Sequence, residues 1–158
     1  MNKSKSIKNI LLTLMVFGSF GVFAEMKSLN KYIASEGQLD TPEVLYINYR
    51  CMGLIGMINN MTTGKTDKFS QILAPLGEES GQQFLKVTYP IWASVQKDSS
   101  IELFLKEIKN TVRPLGENYL KIANKNWATN GDYFKGNDLI IEDLSLCGAW
   151  LKMAQQGL

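Results

Sequence analysis

The sequence predicts an all-α protein, a compact bundle of five or six helices with some of them kinked by proline. Two stretches, residues 45–61 and 138–153, carry apolar residues at spacings of three and four, the period of a helix with a buried face. No stretch shows the sustained alternation of period two that is typical of a half-buried strand. Cys51 and Cys147, the two cysteines of the chain, lie one in each apolar stretch. We expect these two helices to organise the fold.

The N-terminus has the pattern of a signal peptide. Lys3, Lys5 and Lys8 precede an uncharged segment, residues 10–24, whose ending Val22-Phe23-Ala24 fits a signal-peptidase site. This segment is shorter than the roughly 18 apolar residues that suit a membrane span. We expect residues 1–24 to be cleaved and residues 25–158 to form one helical domain, periplasmic or secreted and without stable membrane insertion. An uncleaved N-terminal anchor is the alternative.

Charge and composition exclude several classes of function. Without residues 1–24 the chain has 14 basic and 15 acidic residues, so nothing suggests a nucleic-acid partner. The chain has no histidine, which excludes Ser-His-Asp and Cys-His catalysis and histidine-based zinc sites. It also lacks a phosphate-binding loop, a dinucleotide fingerprint and a calcium loop. We therefore expect no metal and no cofactor.

Residues that start or end helices divide the first half of the chain into segments. Residues 25–40 form a short helix or a loose arm that ends at Gly37. Thr41-Pro42-Glu43 is typical of a helix start, and residues 59–64 end this first long helix. Residues 66–74 predict a short helix that ends near Pro75. Residues 84–97 predict a helix that Pro90 kinks.

The second half begins with a capping box, a serine cap at Ser99 followed by Glu102. The helix that it starts carries an apolar face to about residue 122, with an interruption at Pro114. Residues 125–136 are polar and predict a loop, and Asn137 or Asp138 caps the final helix. Because the final helix is apolar over most of its circumference, we expect it to be central.

The cysteines favour one disulfide. Each lies on the apolar face of its helix, and a pair of cysteines in an exported chain is typically bonded. Two buried free thiols, or a catalytic or metal-binding pair, are the alternatives. Gly53 and Gly56 each cost about 1 kcal/mol inside a helix, so we expect another helix to approach closely there. A ligand site is the alternative.

Glu142 and Asp143 are the acids nearest to a catalytic pattern, together with Glu78-Glu79. Glycoside hydrolysis needs two carboxylates that face each other across a cleft, and neighbours on one helix do not. We expect Glu142 and Asp143 to be solvated and stabilised by the N-terminal helix dipole. A glycan hydrolase built from distant acids stays open as an alternative.

The best surface candidate for binding lies in the predicted loop. Trp127, Tyr133 and Phe134 alternate there with amide residues and Asp132, and flat apolar rings beside hydrogen-bonding groups suit a sugar or a protein partner. The alternative is a loop whose aromatic side chains fold onto the core.

The run Tyr46-Ile47-Asn48-Tyr49-Arg50-Cys51-Met52-Gly53-Leu54, with a second cysteine helix after it, resembles small exported helical two-cysteine proteins of marine bacteria and their viruses. This resemblance covers about 20 residues and implies a helical exported domain without a stated activity. Small disulfide-linked immunity proteins of bacterial secretion systems share the general plan.

The function predicted by the sequence is therefore non-enzymatic binding. We expect an exported domain that binds a protein or an envelope component, with an immunity or inhibitor role as one form of this function. A carboxylate-based, lysozyme-like glycan hydrolase is the alternative. The sequence leaves the oligomeric state open.

Overall fold

Six α-helices and one π-helical segment make up the computed structural model, which describes residues 26–156 apart from the side chains of Phe69, Ile72 and Leu76. No strand occurs within this range, and the all-α prediction is confirmed. The predicted signal peptide, residues 1–24, lies outside the described residues. The elements are α1 (Leu29–Glu36), α2 (Thr41–Thr62), α3 (Lys68–Ser94), α4 (Ile101–Glu107), the π segment (Ile108–Val112), α5 (Arg113–Asn130) and α6 (Asp138–Gln155).

Helix α2 is the centre of the bundle. Fourteen of its 22 residues are buried, on all sides of the helix, and it packs against α3, α5, α6 and the π segment. Helix α6, by contrast, buries only Ile140, Asp143 and Cys147. The prediction of a central final helix is therefore wrong, because α2 already fills the interior and α6 covers it from one side.

Helix α3 runs without a break through Pro75 and Pro90. The predicted end of a short helix near Pro75 is wrong. Both prolines are exposed, so water can bind the carbonyl groups that each proline leaves without a helical partner. The helix is thus 27 residues long and crosses most of the bundle.

The interruption predicted at Pro114 takes the form of the π segment. Residues 101–130 are helical throughout, and Pro114 lies in the first turn of α5, directly after the π turn. The predicted capping box is absent, because the N-cap is Ser100 and its side chain makes no capping bond. Asp98 accepts a hydrogen bond from the Ser100 amide instead, at 3.0 Å.

Close approach of a second helix explains one of the two glycines inside α2. A Cβ atom at Gly53 would lie 2.8 Å from the Cβ of Leu115 and 2.9 Å from the amide nitrogen of Gly116 on α5. Nothing lies within 4 Å of such an atom at Gly56. The expectation is confirmed at Gly53 and wrong at Gly56, which faces an open surface.

The predicted disulfide is present. Cys51 and Cys147 are bonded, with their Cα atoms 5.5 Å apart, and the bond joins α2 to α6. The distance lies in the ordinary range for a disulfide. The sequence separation is 96, so the bond closes a loop of most of the described chain.

A buried ion pair lies beside the disulfide. Arg50 and Asp143 are 1% and 0% exposed and form a salt bridge, and the hydroxyl of Tyr119 donates to the same carboxylate oxygen of Asp143. Asp143 is therefore buried and paired, and the expectation that it is solvated is wrong. We call this set the buried junction: Arg50, Cys51, Tyr119, Asp143 and Cys147.

Every polar group of the buried junction has a partner. Arg50 donates from Nε and Nη2 to the Tyr119 hydroxyl, at 3.0 and 2.9 Å, and from Nη1 to the Lys27 carbonyl at 2.7 Å. The Leu29 amide donates to Asp143 at 2.5 Å. Burial raises the pKa of Tyr119, so its hydroxyl stays a neutral donor. The junction therefore fixes the N-terminal arm, residues 26–29, as well as α2, α5 and α6.

Candidate functional site

The predicted aromatic residues line one groove with a volume of about 410 Å³. Its walls are the end of α2, the segment before α3, the end of α5 and the loop of residues 131–137. The structure thus brings together all four residues of the predicted binding set. The residues of this aromatic groove are Met61, Lys65, Asp67, Ser70, Trp127, Asp132, Tyr133 and Phe134.

The local fold differs from the predicted loop over residues 125–136. Helix α5 continues to Asn130, so Trp127 stands on a helix and not on a loop. Gly131 ends α5 in the left-handed conformation, with φ of 68°, and its amide donates to the Trp127 carbonyl at 2.8 Å. This helix end turns the chain back, so that Asp132, Tyr133 and Phe134 lie beside Trp127.

The turn after α5 is held from both sides. Asp132 Oδ1 accepts the amides of Phe134 and Lys135, each at 2.8 Å. These two backbone bonds lower the pKa of Asp132. Asn126 Nδ2 donates from α5 to the Asp132 carbonyl at 2.7 Å and to the Lys135 carbonyl at 3.0 Å. The groove wall is therefore preorganised.

The three aromatic side chains differ in burial. Tyr133 and Phe134 are half-buried and pack against the core, whereas Trp127 is 50% exposed. The rings of Trp127 and Tyr133 are stacked, with centroids 4.6 Å apart and an interplanar angle of 22°. The alternative prediction, aromatic side chains folded onto the core, thus holds in part for Tyr133 and Phe134. It does not hold for Trp127.

The opposite wall of the groove could not be predicted from the aromatic segment alone. Asp67 is the N-cap of α3 and accepts from the Ser70 amide at 3.0 Å and from the Ser70 hydroxyl at 2.7 Å. Lys65 precedes it and is exposed. The pattern of Asp67 followed three residues later by Ser70, before an apolar helix, was the available signal for this helix start.

The groove offers rings for contact and polar atoms at its edge. Both of its carboxylates, Asp67 and Asp132, accept backbone amides, and the pKa of Asp132 is lowered, whereas a general acid for glycan hydrolysis requires a raised pKa. The arrangement suits binding, and nothing in this groove adds support to the hydrolase alternative, which stays a prediction.

Within residues 26–156, no group of three or more cysteine, aspartate and glutamate side chains could hold a metal ion. No helix in that range has the length and apolar character needed to span a bilayer.

No protein family, curated protein or solved structure matches this chain. The resemblance around Cys51 therefore stays a prediction.

Proposed function

We propose that this chain is an exported, non-enzymatic helical domain that binds a partner protein in the aromatic groove. A periplasmic or secreted location follows from the N-terminal sequence pattern, and a disulfide is common in proteins of such oxidising compartments. Neutralising a toxin or a hydrolase, as an immunity or inhibitor protein does, is one function of this kind.

The observation that carries the proposal is the half-exposed Trp127 stacked on Tyr133. Tryptophan and tyrosine supply much of the binding energy at protein interfaces, where they lie at the centre of a patch with a polar rim. Here the rim consists of Lys65, Asp67 and Asp132. The hydrogen bonds within residues 126–135 fix the tryptophan's surroundings before binding, which lowers the entropic cost of association.

The polar residues at the edge of the groove indicate which side chains the partner contributes. Asp132 uses Oδ1 for its two backbone bonds. Among the described residues Oδ2 accepts no hydrogen bond, so it can accept a charge-assisted bond from a partner arginine or lysine. We expect the partner to place an apolar side chain against Trp127 and a basic side chain against Asp132.

The test is capture by the immobilised mature protein from the envelope fraction of the native host, followed by affinity measurement with the purified partner. Trp127→Ala should abolish capture, and Asp132→Asn should weaken it while keeping the two bonds to Oδ1. Ile141→Ala is the matched control, because Ile141 is 47% exposed and lies outside the groove.

The two outcomes separate clearly. Loss of capture with Trp127→Ala, and wild-type capture with Ile141→Ala, support the proposal. Equal affinity of the wild type and both groove variants for the purified partner would refute it. A captured species that proves to be a polysaccharide would replace the protein partner with an envelope glycan.

A further inference from the structure

A second pocket lies at the other end of α2. It has a volume of about 520 Å³ and lies between the first turns of α2, the end of α3 and α4. Tyr49 lines this pocket and Met61 lines the aromatic groove, which places the two sites about 18 Å apart along the helix. The residues that matter here are Tyr46, Tyr49, Trp92, Asp98, Lys106 and Glu107.

Tyr49 presents a hydroxyl group to this pocket. The residue as a whole is only 7% exposed. Its hydroxyl makes no hydrogen bond among the described residues, and solvent still reaches the hydroxyl oxygen. Because Tyr49 lines the pocket, the remaining exposed part of its side chain faces that space. The hydroxyl is therefore open to the pocket and can donate a hydrogen bond to a molecule that binds there.

Two carboxylates lie at the same pocket without a cation. Within residues 26–156, neither Glu107 nor Asp98 forms an ion pair. Glu107 accepts the Thr111 hydroxyl at 3.0 Å, and Asp98 accepts the Ser100 amide at 3.0 Å. Burial and, secondly, the charge of Glu107 raise the pKa of Tyr49 to about 12. Tyr49 therefore stays a neutral donor beside a negative charge.

The rings of the pocket suit a positive charge. Aromatic faces attract cations, and cages of several rings bind quaternary ammonium groups. Lys106 is the only basic side chain among the residues that line the pocket, and it is exposed, so its ammonium group can remain in solvent.

We propose that this pocket binds a small organic cation, a protonated or quaternary amine that also carries an oxygen atom. The cation lies against the rings and the Glu107 carboxylate, and the ligand oxygen accepts a hydrogen bond from the Tyr49 hydroxyl. A free amino alcohol and the headgroup of a choline lipid share this chemistry. The site is separate from the aromatic groove, and the proposal does not depend on the function of that groove.

The experiment is a titration of the disulfide-bonded mature protein, followed by NMR chemical shifts and by calorimetry. Choline and ethanolamine are the probes, and 3,3-dimethylbutan-1-ol, the neutral isostere of choline, is the matched ligand control. Vesicles of phosphatidylcholine distinguish a lipid headgroup from a free amino alcohol. We expect the cations to shift resonances of Tyr49 and Trp92 and the neutral isostere to bind much more weakly.

Two variants test the roles of the residues. Glu107→Gln should weaken binding of the cation by about tenfold, the effect of losing a charge-assisted contact. Tyr49→Phe should weaken it less and leave the melting temperature equal or higher, because the hydroxyl has no hydrogen-bond partner among residues 26–156. Glu102→Gln is the control, since Glu102 is exposed on α4 and does not line the pocket.

The proposal is overturned if the neutral isostere binds as well as choline, or if neither cation shifts the resonances of the pocket at millimolar concentration. It is also overturned if Glu107→Gln and Glu102→Gln bind equally well. Selective binding of cations that depends on Glu107 supports it.

Discussion

The buried junction and the aromatic groove use the same kinds of residue for opposite purposes. Each combines acidic and aromatic side chains with a basic one. In the junction, Arg50, Tyr119 and Asp143 are at most 1% exposed and bond to each other and to the backbone. In the groove, Trp127 is half-exposed, and Asp132 binds the backbone with only one of its two oxygens. Residue type alone therefore does not separate a structural site from a binding site, whereas burial and completed hydrogen bonding do.

The largest expected effect is loss of the covalent part of the junction. Replacing Cys51 and Cys147 by serine should lower the free energy of unfolding by about 4–5 kcal/mol, the chain-entropy value for a loop of about 100 residues, and often by less in practice. Denaturant unfolding of the oxidised and reduced wild type should show the same loss, and the double serine variant should not respond to reductant. Two free thiols per chain in protein made in an oxidising compartment would contradict the bond.

The ionic part of the junction should matter nearly as much. Asp143→Asn leaves the charge of Arg50 buried without a counter-charge, which costs about 3–5 kcal/mol when one partner of a buried pair is removed. Glu117→Gln is the matched control, because Glu117 forms an ion pair with Arg113 in which the side chains are 56% and 69% exposed. Such an exposed pair contributes less than about 1 kcal/mol. Equal losses in denaturant unfolding would show that the junction tolerates an unpaired charge.

The two glycines of α2 differ in their surroundings: Gly53 packs against α5, whereas Gly56 faces open space. Gly53→Ala should destabilise the protein by about 1–3 kcal/mol, because the added methyl group overlaps α5 at Leu115 and Gly116. Gly56→Ala should stabilise it by up to about 1 kcal/mol through helix propensity, since the space there is open. Thermal unfolding of both variants checks this, and effects of the same sign would contradict the assigned crossing of α2 and α5.

The sequence predicted the covalent part of the junction but not its ionic part. Cysteines on the apolar faces of two helices indicate a pairing without further information. Arg50 and Asp143 are 93 residues apart, and nothing local marks them as partners. Asp143 does lie one turn before Cys147 and three residues after Ile140, on the same buried face, and Arg50 adjoins Cys51. An acid on an apolar face was the available signal.

Only one wall of the aromatic groove could be predicted from the sequence. Trp127, Asp132, Tyr133 and Phe134 are close in sequence, and one helix end with its turn brings them together. The opposite wall comes from residues 65–70, about 60 positions earlier in the chain. Its position depends on how α3 begins beside α5, and the continuation of α3 through Pro75 was itself missed. Local patterns predict turns and caps, whereas contacts between distant segments depend on the packed fold.

The two tryptophans compare a core position with the aromatic groove, using one residue type in both environments. Trp92 is 5% exposed, with the ring of Phe104 at a centroid distance of 5.2 Å, and Trp127 is 50% exposed in the groove. Trp92→Ala should cost about 3–5 kcal/mol, as for a buried tryptophan. Trp127→Ala should cost clearly less, because half of this side chain is already exposed and its stacking on Tyr133 contributes only about 0.5–1.5 kcal/mol.

Denaturant unfolding of both variants measures this difference. A small loss with Trp127→Ala means that the side chain is kept for binding and not for folding, so its effect on partner capture can be interpreted directly. If Trp127→Ala destabilises the protein as much as Trp92→Ala, the ring belongs to the core. The groove then loses its central contact, and the binding proposal fails at this site.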